Sequence, residues 1–311
     1  MRKLIAVAVT AVLASTVAPP PPVVAATARP HTYVVSRDAG VLPEGIAVTP
    51  AGTMYVTSVG TGAVYRGNTR SAELAPFLPA GADGRTRAAG VRVDGLGRIF
   101  VAGWDTGALF VYRPDGSLVA KRVAPLAGAA LNDLAVTDDA VYVTDSGTGT
   151  LWRATTAGAR IGELTPWLTP ADFPEAPGFL NGIVVDERVA LVADQGTGRL
   201  YRVDLSRRRA SEVEVTGGRM AADGLLLEGD RLYGVVNVPD GAGGVAFTVD
   251  LAVMDDDRRT ARVVRRSAPA SLDRSPTTIA RDRSRLLWVH SQLHDPSPAP
   301  PFTVTVVPGL R

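Results

Sequence analysis

The feature that most restricts this chain is an internal repeat. A polar residue, usually followed by glycine and then an apolar run, recurs along the sequence, and Leu180-Asn181-Gly182-Ile183-Val184-Val185-Asp186 is its clearest copy. Aligned on the residue before the first apolar run, six copies begin at Glu44, Ala89, Asn132, Asn181, Asp223 and Thr277, at intervals of 45, 43, 49, 42 and 54 residues. A second apolar run follows in each, as in Met54-Tyr-Val-Thr-Ser58, Val141-Tyr-Val-Thr-Asp145 and Leu287-Trp-Val-His-Ser291. Four copies continue with Thr-Gly and a further short apolar run: Thr61-Gly62, Thr106-Gly107, Thr148-Gly149 and Thr197-Gly198.

The runs are short, rich in Val, Ile and Tyr, and bounded by turn residues such as Gly95-Leu-Gly97 and Gly229-Asp230, so they read as strands. About four strands in 40 to 50 residues is the size of one propeller blade. Fourth strands are expected near residues 73–78, 118–123, 161–168, 211–215 and 261–265. The last repeat supplies strands near 277–281, 286–291 and 302–307, and Thr32–Ser36 is available to complete it. The expected fold is therefore all-β: a six-bladed β-propeller of about four antiparallel strands per blade, closed by pairing its N- and C-terminal strands. That closure removes an exposed sheet edge. A seventh blade with an unrecognised repeat is the alternative.

Arg2 and Lys3, the apolar run from Leu4 to Ala14 and the small residues near Ala25 read as a secretory signal peptide over residues 1–26. The apolar run is too short to span a bilayer. Residues 27–311 are then one propeller domain of a secreted protein, expected to be a monomer without a membrane anchor. Removing Arg2 and Lys3 from the 33 basic residues leaves 31 against 31 acidic ones, so no nucleic-acid partner is expected. The chain has no cysteine, which excludes disulfides, a thiol nucleophile and a thiolate metal site.

In a propeller the inner strand of every blade starts at the same face of the central channel. The six opening residues should ring that face, and Glu44, Asn132, Asn181 and Asp223 carry the oxygen donors that hard cations choose. Calcium takes 6 to 8 oxygen ligands from carboxylates, amide carbonyls and water. Asn-Gly and Asp-Gly are also favoured turn pairs, but Glu44-Gly45, Asn181-Gly182 and Asp223-Gly224 share one phase in different repeats.

The order Glu44-Gly45, Asn132-Asp133, Asn181-Gly182, Asp223-Gly224 and Pro276-Thr277 on a six-fold repeat resembles the gluconolactonase and senescence-marker-protein (regucalcin) family, over residues 40–292. The resemblance implies that Glu44, Asn181 and Asp223 bind a divalent metal, Ca2+ being expected, that Asn132 positions a small-molecule substrate, and that Asp223 is also the general base. The implied activity is metal-assisted hydrolysis of a lactone or other carboxylic ester.

Two alternatives come from other classes. One is a non-catalytic propeller that binds a ligand or protein through the same face. The other resembles the streptogramin lyases, which use a metal and a histidine base; it ranks last because His31, His290 and His294 all lie away from inner-strand openings. His290 reads as core, and the repeated Asp145 and Asp194 read as turn caps. Trp104 reads as blade packing sooner than as a stacking platform. Specificity is expected in the loops 78–84, 169–179, 237–244 and 292–301, as a fixed rim or a mobile lid.

Overall fold

Strand alternation explains the architecture directly. In the second strand of the third blade, Ala140–Asp145, Val141 and Val143 pack toward the preceding blade, while Ala140 and Tyr142 pack toward the following one. Successive side chains point to opposite faces of a sheet, so a sheet buried on both faces needs an unbroken apolar run. Six hydrophobic clusters result, one between each pair of neighbouring blades. The computed structural model describes residues 29–158, 160–239 and 244–310; the signal peptide expected at 1–26 lies outside them.

The sheets form a six-bladed β-propeller. Five sheets have four strands and one has five. The inner strands are Pro43–Val48, Val91–Val93, Leu131–Val136, Leu180–Asp186, Ala222–Glu228 and Pro276–Asp282, each against the next around the ring and the last against the first. Thr32–Ser36 pairs antiparallel with Phe302–Val306, so the sixth blade is completed by the N-terminal strand as expected. Among the described residues the helical content is two 3-10 turns, Ala82–Gly84 and Pro170–Asp172.

One expected strand divides. Residues 211–215 were to be the outer strand of the fourth blade, but Arg209–Glu212 fills that place and Glu214–Thr216 crosses to the fifth blade, pairing parallel with Thr260–Arg266. Val213, buried at the crossing, keeps its N–H on the Leu200 carbonyl. A parallel bridge from Val34 to Glu73 ties the outer edge of the sixth blade to the first in a similar way.

The repeated polar pair has a defined backbone role. In five blades the inner strand slips register at this point: between Pro43 and Ile46, Leu131 and Leu134, Leu180 and Ile183, Ala222 and Leu225, and Pro276 and Ile279. Asn181-Gly182 and Asp223-Gly224 are therefore bulges within strands, not turns. A bulge re-aims a side chain that would otherwise follow the pleat. Glycine follows because the blades meet there: a Cβ on Gly45 would lie 2.5 Å from the Ala89 carbonyl oxygen of the next blade.

Candidate metal and substrate site

Hydrogen bonds between blades fix the backbone of the opening residues. The Asn132 carbonyl accepts from Gly90 N–H at 2.8 Å, the Asn181 carbonyl from Thr144 Oγ1 at 2.8 Å, and the Glu44 carbonyl from Thr277 Oγ1 at 2.7 Å. The Ala89 carbonyl accepts from Thr57 Oγ1. With the carbonyls turned to the neighbouring blade, the side chains are left to the channel.

Glu44, Ala89, Asn132, Asn181 and Asp223 line one cavity of about 190 Å³. Thr277, the sixth opening residue, is not part of its lining; its hydroxyl is spent on Glu44. The amides are held from behind. Asn132 Nδ2 donates to Ser146 Oγ at 2.9 Å, and Asn181 Nδ2 donates to Gln195 Oε1 at 2.9 Å. Ser146 and Gln195 occupy the same place in consecutive blades, just past the second strand.

The carboxylates are crowded. Glu44 is buried and its Oε2 has no hydrogen-bond partner. Burial, reinforced by the nearby charges of Asp223 and Asp133, holds its proton affinity well above the usual carboxylate range, against a smaller opposing pull from Arg92. Burial likewise pushes Asp223 up to about 7, opposed by a hydrogen bond from Asn181 and assisted by Asp133. Asp133, raised by burial, is ion-paired to Arg92 at 2.9 Å. A larger cavity of about 570 Å³ opens at the other end of the inner strands, where Arg92 and Arg281 interrupt an apolar lining that includes Val48, Val185 and Leu227. Among the described residues its lining holds one carboxylate, Asp94, which is paired with Arg98 at 2.6 Å.

Among the described residues no group of three or more His, Cys, Asp or Glu is placed to hold a metal. A cation at this face would therefore need the amide oxygens as well as the two carboxylates. The donor set fits a hard divalent ion on that condition: two carboxylates, one of them with a buried oxygen lacking a partner among the described residues, and two amides.

No protein-family model matches the chain, and no curated protein matches it in sequence. Solved structures do resemble it. A calcium-binding protein, regucalcin from Agrobacterium tumefaciens, is 19% identical with a TM-score of 0.59, over 90% of this chain and 95% of that one. A catalytically inactive histidine-to-alanine variant of virginiamycin B lyase from Staphylococcus aureus, with quinupristin, is 11% identical with a TM-score of 0.57, over 87% and 82%. The major allergen Mala s 1 of Malassezia sympodialis is 14% identical with a TM-score of 0.59, over 90% and 96%. What these share with the chain is the fold.

The cavity also gathers residues that no repeat position marked. Val59, Arg87, Trp104, Phe179, Gln195, Leu293 and His294 complete its lining. Trp104 belongs to the wall instead of serving only blade packing. His294, away from any inner-strand opening in the sequence, nevertheless lines the cavity and stacks on Phe247 with ring centroids 5.6 Å apart. The loops 169–179 and 292–301 bring in Phe179, Leu293 and His294, whereas the expected loop 78–84 contributes no lining residue and Arg87 lies just beyond it; the loop at 237–244 lies partly outside the described residues. The 169–179 loop is anchored: Phe173 is buried against Tyr201, and Asp194 accepts from the N–H groups of Gly178 and Phe179. It is a fixed rim.

Asp145 and Asp194 are turn-holding residues. Asp145 is fully buried and accepts from the N–H groups of Ala130, Gly147 and Thr148, the Thr148 hydroxyl and Trp152 Nε1. His290 is core, with Nε2 on Thr305 Oγ1 at 2.7 Å.

Proposed function

We propose that this protein is a secreted, divalent-cation-dependent hydrolase of a lactone or related carboxylic ester, with Ca2+ as the cation. One observation carries the reading: Glu44 and Asp223 share a cavity with Asn132 and Asn181, and among the described residues neither carboxylate is in an ion pair, Arg92 acting on Glu44 only as a nearby charge. A buried carboxylate beside a second, half-buried one is costly to ionise, and a divalent ion would favour the ionised forms of both. Exposure to extracellular calcium suits the weaker range of oxygen-ligand sites.

Glu44, Asn181 and Asp223 would hold the ion. When bound, it would polarise the ester carbonyl and offset the charge developing on its oxygen. Asn132, fixed by Ser146, would orient the substrate. Asp223, beside the ion in the same cavity, is the carboxylate we assign to take a proton from attacking water, although coordination to the ion would lower its proton affinity. Asn181 steadies its charged form by donating a hydrogen bond to it.

The test is calorimetric titration with Ca2+, followed by lactone hydrolysis with and without chelator, on the native chain and on the Glu44→Gln and Asp223→Asn variants. Binding lost in Glu44→Gln and turnover lost in both variants are expected. Full activity in Asp223→Asn removes it as the base, and calcium binding without turnover leaves a ligand-binding propeller.

His294 favours one second reading, an elimination like that of the lyases. Product mass separates the two, because hydrolysis adds water and elimination does not. His294→Ala would abolish elimination and leave hydrolysis through Asp223.

A further inference from the structure

The cavity has two unlike sides. Glu44, Asn132, Asn181 and Asp223 bring its oxygen donors, whereas Val59, Trp104, Phe179 and Leu293 bring a wall of apolar surface, with Arg87, Gln195 and His294 also in the lining. The Trp104 and Phe179 rings lie 6.1 Å apart at 51°. Arg87 pairs with Asp105 at 3.2 Å and donates from Nη1 to the Val59 carbonyl at 3.3 Å, so its charge is shared with an acidic partner.

Both aromatic residues are held by their backbones. Trp104 has φ 51°, a left-handed conformation that bulky residues rarely adopt. Reciprocal hydrogen bonds with Leu131 on the next inner strand, at 2.9 and 3.0 Å, keep it there. Strain of this kind persists where the surroundings over-determine it, and it gathers at ligand sites. Phe179 donates its N–H to Asp194 Oδ1 at 2.8 Å and accepts from Gln195 N–H at 3.0 Å. A wall fixed in advance loses little conformational freedom on binding.

Such a wall is poorly matched to a polyol. Each substrate hydroxyl buried against it would need a hydrogen-bond partner, and each of the two amide nitrogens has already given one of its two hydrogens, to Ser146 or to Gln195. We infer that the site takes lactones or esters bearing an apolar alkyl or acyl group, packed against Trp104 and Phe179, in preference to polyhydroxylated sugar lactones. The inference rests on the hydrolase reading above, and it assigns Trp104 as the residue that sets the preference.

The experiment compares kcat/KM, with Ca2+ present, for an alkyl-substituted δ-lactone and a hydroxylated δ-lactone of the same ring size. A preference of at least about tenfold for the alkyl compound is expected, the yield of a few buried methylene groups. Trp104→Ala should cut that preference about tenfold, mainly through KM, with Trp104→Phe restoring most of it. Phe179→Ala is the second variant should Trp104→Ala fold poorly. Equal or better turnover of the hydroxylated lactone overturns the inference, as does an equal loss on both substrates in the variants.

A binding arm separates this from the hydrolase reading. An alkyl-substituted cyclopentanone, which cannot be hydrolysed, is titrated calorimetrically beside a sugar alcohol. Ketone binding that weakens in Trp104→Ala, in a protein that turns over no lactone, keeps the apolar wall and sinks the hydrolase. Lactone turnover without preference, and without ketone binding, sinks the wall and keeps the hydrolase.

Discussion

Thr277 Oγ1 donates a hydrogen bond to the Glu44 carbonyl oxygen at 2.7 Å, joining the last blade to the first across 233 positions of the chain. The same ring closure is made at the periphery by Thr32–Ser36 against Phe302–Val306. The central bond also holds the backbone of the residue whose Oε2 is buried without a partner. Thr277→Val keeps the shape and removes the donor. It should cost about 1–3 kcal/mol, the usual penalty for a buried acceptor left unpaired, and should weaken calcium binding through Glu44. Urea midpoints and calorimetry read the two effects; an unchanged midpoint would show that the carbonyl finds another donor.

The crowded carboxylates make the cation-free protein sensitive to base. Asp223 holds its proton to about pH 7 when folded, against an ordinary value of 3.8. Glu44 and Asp133 are raised in the same direction. Above the unfolded values the unfolded chain releases protons that the folded one retains, so stability falls as pH rises from about 4 toward 7. Chelated protein should therefore show a falling urea midpoint across that window, and calcium should remove the slope. A midpoint that climbs with pH under chelator would contradict the crowding.

Substitution at the site should separate stability from activity. Glu44→Gln removes a group whose charged form the site disfavours, so the stability of the chelated variant should fall less steeply with rising pH than that of the native chain. The same change deletes a proposed ligand, and calcium should no longer stabilise it. Melting curves with and without chelator decide; a variant still stabilised by calcium to the native extent would exclude Glu44 as a ligand.

His290 acts at the acid end. Burial lowers its pKa from 6.5 to about 4, with Arg274 adding to the shift and Asp273 opposing it. The unfolded imidazole charges first, so its contribution is present above about pH 6.5 and is lost as pH falls toward 4, about 3 kcal/mol in all. His290→Gln should flatten that limb of the stability profile. An unchanged acid limb would mean that the imidazole stays charged in the folded protein.

Asp145 is a contrast case. Its five accepted hydrogen bonds come from its own turn, from Ala130 and from Trp152. Asp145→Ala should destabilise by about 3 kcal/mol or more while calcium affinity of the folded protein stays unchanged. Loss of calcium binding at full stability would give this carboxylate a role at the site.

The sequence by itself determined the ring and its openings. Blade number follows from six copies of one local pattern, apolar runs buried on both faces and a polar pair in constant phase, and such patterns need no knowledge of distant contacts. Glu44, Asn132, Asn181 and Asp223 were legible for that reason, and they do line one cavity. Only the tertiary structure decided that the polar pairs are bulges, that Thr277 serves ring closure, and that residues 214–216 cross to the next blade. It also brought in Arg87, Trp104, Phe179, Leu293 and His294. These sit beyond the repeat, four of them on connecting loops and Trp104 just past a second strand. Their convergence depends on the summed rotation of six blades and on single backbone contacts such as Trp104 with Leu131, and neither leaves a periodic mark in the chain.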